Sequence, residues 1–136
     1  MYTETQKEVI SILIVEDNPD HATLAQAALE KHADWDIKVV NNLEKAFAAT
    51  TVKIFDIVLL DYVLPDGFGV DLLDWIKKDC AVIMMTSQGS EQVAVESFRR
   101  GVLNYVVKNS LFRHNLLEAV EEVLRGRELV GINSVY

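Results

Sequence analysis

Five residues with reactive side chains stand where short apolar runs stop. Glu16 and Asp17 follow the run Ile10 to Val15, Asp61 follows Ile57 to Leu60, Thr86 follows Ala81 to Met85, and Lys108 follows Leu103 to Val107. A carboxylate can attack phosphorus and form an acyl phosphate, which makes Asp61 the natural nucleophile. Crowded carboxylates need a counter-charge: two like charges ~4 Å apart repel by about 4 kcal/mol at an effective dielectric of 20. A hard divalent cation relieves that repulsion, and Mg²⁺ takes one or two carboxylates, several waters and phosphate oxygens. The same cation can bridge to a phosphoryl group and neutralise charge during an in-line transfer. Lys108 would face a second phosphoryl oxygen, and the Thr86 hydroxyl could donate to a third. With no His or Cys at ligand spacing, the set suits Mg²⁺ or Mn²⁺ and gives Zn²⁺ no advantage.

Each of these residues has a plain structural use when taken alone. An aspartate after a strand often caps a helix or forms a turn, a Thr-Ser pair is commonly structural, and a single lysine is commonly solvated. Five of them on four strand ends are not explained that way.

They can meet only if the apolar runs are neighbouring strands of one sheet. Runs at Ile10 to Val15, Ile37 to Val40, Ile57 to Leu60, Ala81 to Met85 and Leu103 to Val107 are rich in Val, Ile and Leu. Three are apolar at nearly every position, as in parallel strands covered on both faces by helices. Helical spacing fills the intervals: Leu43, Ala46, Phe47 and Thr50 share a face, as do Val93, Ala94, Phe98 and Gly101, and Leu116, Leu117, Val120, Val123 and Leu124. Asn18 before Pro19 reads as an N-cap with a first-turn proline. Asn42 and Ser90 suit two further caps, Asn109 or Ser110 a third, and Asp66-Gly67 marks a turn. Five strand–helix pairs predict an α/β doubly wound, five-stranded parallel sheet of flavodoxin-like order 2-1-3-4-5. In such sheets ligands bind at the carboxyl ends of the strands, where the winding reverses, and all five reactive residues fall there.

The 136 residues fit a single domain with its core at about 10–125 and an unplaced tail at 126–136. No apolar run approaches the ~20 residues of a membrane span, and Met1 to Glu8 is polar without a leader pattern. The lone Cys80 suits a reducing cytoplasm, and a net charge of −8 disfavours nucleic acid as a partner.

Four segments together resemble the receiver domain of bacterial two-component response regulators: Ile12-Leu-Ile-Val-Glu-Asp-Asn-Pro, Val58-Leu-Leu-Asp-Tyr-Val-Leu-Pro-Asp-Gly, Val82-Ile-Met-Met-Thr-Ser and Leu103-Asn-Tyr-Val-Val-Lys. The likeness runs from about Ile10 to Leu124. It implies that Asp61 is the phosphoacceptor and that Glu16 and Asp17, with Asp61 and the main-chain carbonyl of Val63, hold Mg²⁺. It further implies that Thr86 is the switch hydroxyl, Tyr105 the switch aromatic and Lys108 the family's lysine. A stand-alone member would be a cytoplasmic signalling switch, phosphorylated by a sensor histidine kinase or a phosphotransfer protein. It would turn over no external substrate and would act by binding a downstream protein, with Tyr105 swinging inward from the exposed side and partners meeting the fourth helix, fifth strand and fifth helix.

The sequence departs from that family in four places. Glu16 has a longer arm than aspartate and suits contact with the metal through water. Asn109 replaces the usual proline after the lysine, so either a cis non-proline bond persists or the loop differs. The stretch Gly69 to Cys80 is short, which trims the third helix or its exit, and Ser87 stands where alanine is common.

Two other chemistries share an aspartate or this topology. A phosphohydrolase of the haloacid-dehalogenase type needs a second acid two residues after the nucleophile, where Val63 stands. A flavin carrier would place phosphate after the first strand, where Glu16-Asp17 would repel it. A receiver-like module without phosphorylation is disfavoured because every reactive group is present. His21, His32 and His114 read as surface residues, although His21 lies close enough to approach the rim. Trp35 and Trp75 read as isolated packing residues and Cys80 as inert.

Overall fold

Strands that are apolar on both faces must be hidden between two layers, and the chain supplies those layers in strict alternation. The computed structural model describes residues 9–30, 32, 34–76, 80–87 and 90–135, with side chains as far as Gly126. Met1 to Glu8, read as polar, lie outside the described residues. The order is β1 (Ile10–Val15), α1 (Pro19–Leu29), β2 (Trp35–Val40), α2 (Leu43–Val52), β3 (Ile57–Asp61), β4 (Val63–Leu64), β5 (Gly67–Phe68), a 3₁₀ helix (Gly69–Asp74), β6 (Ala81–Thr86), α3 (Glu91–Arg99), β7 (Asn104–Val107) and α4 (Phe112–Val135).

Five strands form one parallel sheet in the order β2-β1-β3-β6-β7. Counting only the strands of that sheet, this is the expected 2-1-3-4-5. Because successive side chains point to opposite faces, each strand feeds two cores. Ile12, Ile14, Ile57, Leu59, Ile83 and Met85 pack with Leu29 of α1 and Leu116 and Val120 of α4. Leu13, Val15, Val58, Leu60, Val82 and Met84 pack with Leu43, Ala46 and Ala49 of α2 and with Val70 and Leu72. Strands β3 and β6 are buried throughout, which explains their uninterrupted apolar sequences.

The helix starts follow their caps. Asn18 accepts from the Asp20 and His21 amides, Asn42 from Lys45, and Ser90 from Val93. Asn109, rather than Ser110, turns the chain into α4 by accepting from the Leu111 amide at 2.9 Å.

The third helix, expected to be trimmed within Gly69 to Cys80, is described as a 3₁₀ helix rather than an α-helix. Between β3 and β6 the described residues form the antiparallel β4–β5 hairpin and then a 3₁₀ helix. Pro65, Gly67 and Gly69 oppose α-helix in the first part of this segment. Gly67 takes φ +151°, open to glycine. The turn residue Asp66 also works as a clamp. Its carboxylate accepts from the Leu43 and Glu44 amides at 2.9 and 3.0 Å, tying the hairpin to the start of α2.

Smaller points are settled or corrected. Residues 126–135, left unplaced by the sequence, continue α4 to Val135. On α3 the fully buried residue is Ser97, whose hydroxyl donates to the Val93 carbonyl, while Phe98 is exposed. The tryptophans are not isolated: Trp35 stacks on His32 at 3.9 Å, and Trp75 meets Phe47 edge-on at 5.4 Å. His32 also pairs with Glu121 at 3.1 Å, joining the α1–β2 connection to α4. No peptide bond among the described residues is cis, so the loop after Lys108 accommodates Asn109 in the trans form. No described helix is long and apolar enough to cross a membrane.

Candidate functional site

The reactive residues converge because each ends, or directly follows, a strand whose register is fixed by its neighbours. Asp61 is the last residue of the central strand β3, Glu16 and Asp17 follow β1 beside it, Thr86 closes β6 on the other side, and Lys108 follows β7. Backbone bonds lock this rim: the Tyr62 amide donates to the Met85 carbonyl at 3.0 Å, and the Lys108 amide donates to the Thr86 carbonyl at 2.7 Å. Together with Asn18, His21, Val63 and Ser87 these residues line a cleft of about 280 Å³.

Charge is concentrated in that cleft. The Lys108 ammonium pairs with Glu16 and lies 3.2 Å from Asp61 Oδ2, and all three side chains are almost fully removed from solvent. Glu16 also accepts from the Asn18 amide at 3.1 Å, which holds its carboxylate toward the start of α1. Asp17 stays exposed at the mouth. One carboxylate oxygen from each of Glu16, Asp17 and Asp61 lies within 4.8 Å of the others.

Burial pushes the Asp61 carboxyl up to about 7, and a hydrogen bond with Glu16 and the Glu16 charge push the same way; Lys108 opposes them without prevailing. Three carboxylates against one ammonium leave surplus negative charge, and every donor in the cluster is oxygen. That donor set fits a hard divalent cation. The acidic cluster can therefore bind a metal.

Thr86 is buried, and its hydroxyl is hydrogen-bonded to that of Tyr105. Burial raises the Tyr105 phenol, and the Thr86 bond counteracts it. The Tyr105 ring is half-buried against the α2-side core and tilted against Phe98 at 6.3 Å. The aromatic expected to swing in from outside already touches the hydroxyl beside the cleft.

Two contributors were not assigned by the sequence. A Cβ on Gly69 would stand 2.1 Å from the Asp61 carbonyl oxygen and 3.0 Å from Leu60 Cγ, and the Gly69 amide donates to the Tyr62 carbonyl at 2.7 Å. Its signal was a glycine soon after the Asp66-Gly67 turn, a place where two backbones can cross closely. The other is His21, expected as a surface residue, which lines the cleft. His32 and His114 lie away from it, each paired with a glutamate of α4.

A doubly wound α/β domain with an acidic, lysine-backed cleft at its switch point is the class that fold and site define. Residues 12–121 match the response regulator receiver domain. The chain is 35% identical over 127 residues to the methanogenesis regulatory protein FilR1 of Methanothrix harundinacea, covering 87% of this chain and 28% of that one. It superposes with a TM-score of 0.81 on the signal receiver domain assigned to a LuxO repressor protein of Vibrio parahaemolyticus, at 27% identity, covering 90% of this chain and 95% of that one. A CheY-like receiver domain protein from Methanospirillum hungatei gives 0.80 at 26% identity, covering 88% and 97%. The protein belongs to the response regulator receiver domain family. It spans less than a third of the length of the curated regulators it matches.

Proposed function

We propose that Asp61 accepts a phosphoryl group from a histidine kinase or a phosphotransfer protein, and that the modified domain signals by altered protein binding. The observation that carries this reading is the meeting of Asp61 with Lys108 at the carboxyl edge of the sheet, inside a cluster of carboxylate oxygens. Glu16, Asp17, Asp61 and the Val63 carbonyl would hold Mg²⁺ or Mn²⁺, which when bound neutralises charge on the transferring phosphoryl group.

The protein's own groups do the rest. An Asp61 oxygen forms the new bond to phosphorus as the phosphorus–nitrogen bond of a phosphohistidine breaks, and the leaving imidazole keeps the electron pair and takes a proton. Lys108 stays within reach of a phosphoryl oxygen on Asp61. Thr86 donates its hydroxyl to another, and giving up its present bond frees Tyr105. That exchange selects between two packings of one aromatic ring, a population shift rather than refolding. Phe98, exposed beside Tyr105, puts the readout on the face formed by α3, β7 and the start of α4.

This is a switch that turns over no external substrate, and it works in the cytoplasm without nucleic acid or membrane insertion. Incubation with acetyl phosphate and Mg²⁺ should add one phosphoryl mass, Asp61→Asn should abolish the addition, and EDTA or Asp17→Ala should suppress it. Thr86→Ala should leave Asp61 labelled while NMR shifts induced by beryllofluoride stop short of Tyr105. Labelling that persists in the Asp61→Asn variant, or is undiminished in EDTA, refutes the assignment.

A further inference from the structure

The loop that carries Val63 is held at both ends and stiffened little in between. At its base the Tyr62 amide donates to the Met85 carbonyl at 3.0 Å, which continues the sheet. At its tip both Asp66 oxygens accept from the start of α2, from the Leu43 amide at 2.9 Å and the Glu44 amide at 3.0 Å. Between these anchors lie strands of two residues each, and a hairpin that short is marginal by itself. The tip anchor therefore fixes what the hairpin presents.

What it presents is a main-chain oxygen. Val63 lines the cleft and opposes Phe68 in the hairpin. Bonded and non-bonded pairs alternate along an antiparallel ladder, and the Gly69 amide donates to the Tyr62 carbonyl at 2.7 Å. Val63–Phe68 is thus a non-bonded pair, and the Val63 carbonyl is turned away from β5 and left out of the ladder. Asp66, three residues on, is exposed and does not belong to the cleft lining.

We propose that Asp66 is a positioning residue of the cation site, which holds the Val63 carbonyl ready for the ion by pinning the hairpin tip to α2. The inference rests on the reading of Asp17, Asp61 and the Val63 carbonyl as cation ligands. Mg²⁺ tolerates little departure from octahedral geometry, so an oxygen that wanders must first be ordered, at a cost in affinity. The coupling is reciprocal: a bound ion steadies Asp66 on the Leu43 and Glu44 amides. The cap of α2 is divided between two side chains. Asn42 takes the Lys45 amide at 2.8 Å, and the two amides before it go to Asp66. Helix cap and hairpin anchor can therefore be broken separately.

The test uses the unphosphorylated full chain and Mn²⁺ alone, titrated by EPR of the free ion at one fixed neutral pH, well below the melting temperatures. Asp66→Ala should weaken Mn²⁺ binding by about 10-fold, the size of effect expected when a ligand loses its support. Asp66→Asn, whose amide oxygen can still accept from α2, should fall between that variant and the wild type. Asn42→Ala removes the neighbouring bond to Lys45; it should melt lower than the wild type yet bind Mn²⁺ equally well. In the wild type Mg²⁺ should slow amide exchange at Leu43 and Glu44, and in Asp66→Ala it should not. Wild-type affinity in Asp66→Ala overturns the proposal, as does an Asn42→Ala variant weakened just as much, since helix stability alone would then explain both. Exchange at Leu43 and Glu44 that ignores a bound ion overturns it too. A wild type that takes up no Mn²⁺ overturns instead the cation reading on which the proposal stands, and Asp17→Ala, which leaves the hairpin intact, reports on that reading independently of Asp66.

Discussion

Replacing Gly69 by alanine places one methyl group against the backbone of the proposed phosphoacceptor. The new Cβ would start 2.1 Å from the Asp61 carbonyl oxygen, whereas ordinary contact begins near 3.4 Å. The gap must open by about 1 Å, and Leu60 Cγ, at 3.0 Å, blocks part of the escape. Neither side yields easily, because backbone meets backbone instead of the end of a flexible side chain. If the Gly69 segment retreats, its 2.7 Å bond to the Tyr62 carbonyl stretches; if β3 retreats, Asp61 moves away from Lys108. Overpacking typically costs about 1–3 kcal/mol, and this site belongs in the upper half of that range. For a chain of this size that corresponds to a melting temperature lower by roughly 7–10 °C. A displacement of about 1 Å at a reacting group can also cost on the order of 10²-fold in rate. Differential scanning calorimetry and the time course of acetyl phosphate labelling measure the two effects. Gly126→Ala, where a Cβ would meet nothing within 4 Å, is the control and should not lose stability. A Gly69→Ala protein that melts and labels like the wild type refutes the close crossing and its positioning role.

Asp61 titrates in the fold at about 7, above the ~3.9 of an unfolded aspartate, so the unfolded chain ionises first. Wild-type stability should therefore fall between about pH 4 and 7 relative to Asp61→Asn. Without divalent ions the variant should melt higher at about pH 8, with the gap closing on acidification and narrowing when Mg²⁺ is added; a gap that widens toward acid contradicts this. Lys108→Met leaves Glu16 and Asp61 facing each other without their cation, and should cost roughly 2–4 kcal/mol in urea unfolding, most of it recovered by Mg²⁺. Unchanged stability would mean that the buried pairs carry no weight. Asp66 is held below the usual carboxylate range, chiefly by the Leu43 amide, so its contribution is complete above ~4 and disappears as pH falls through its lower folded value. Asp66→Ala should destabilise at neutral pH and have no effect in strong acid, which thermal melts at two pH values would check.

The sheet was legible because burial on both faces leaves nearly continuous runs of Val, Ile and Leu, and once the strands are in order their ends define the rim. Glu16, Asp17, Asp61, Thr86 and Lys108 were found by that logic alone. The segment after β3 was legible only as a turn and a shortened helix, since propensity shows where an α-helix is opposed but not that a hairpin would be clamped by Asp66 to amides far away in sequence. Gly69 and His21 were missed for a related reason: a close backbone crossing and a place on the cleft wall exist only between elements. Tyr105 was placed on the correct strand, but its bond to Thr86 depends on the neighbouring register of β6 and β7, which no local pattern specifies.

A 3₁₀ helix in place of a full helix leaves the two sides of the sheet unequally roofed. On one side α1 and the long α4 cover Ile12, Ile14, Leu59 and Met85; on the other, part of the cover over Leu60 and Met84 is a short, weakly cooperative turn beside two-residue strands. The weaker roof is the side expected to lift first in subglobal opening. Because Asp66 ties the hairpin to α2, both should lift as one unit, and their amide protons should exchange with water together, while those of β1, β3 and β6 wait for complete unfolding. The strand that carries Asp61 then belongs to the durable half of the molecule, and the loop that immediately follows it belongs to the half that breathes.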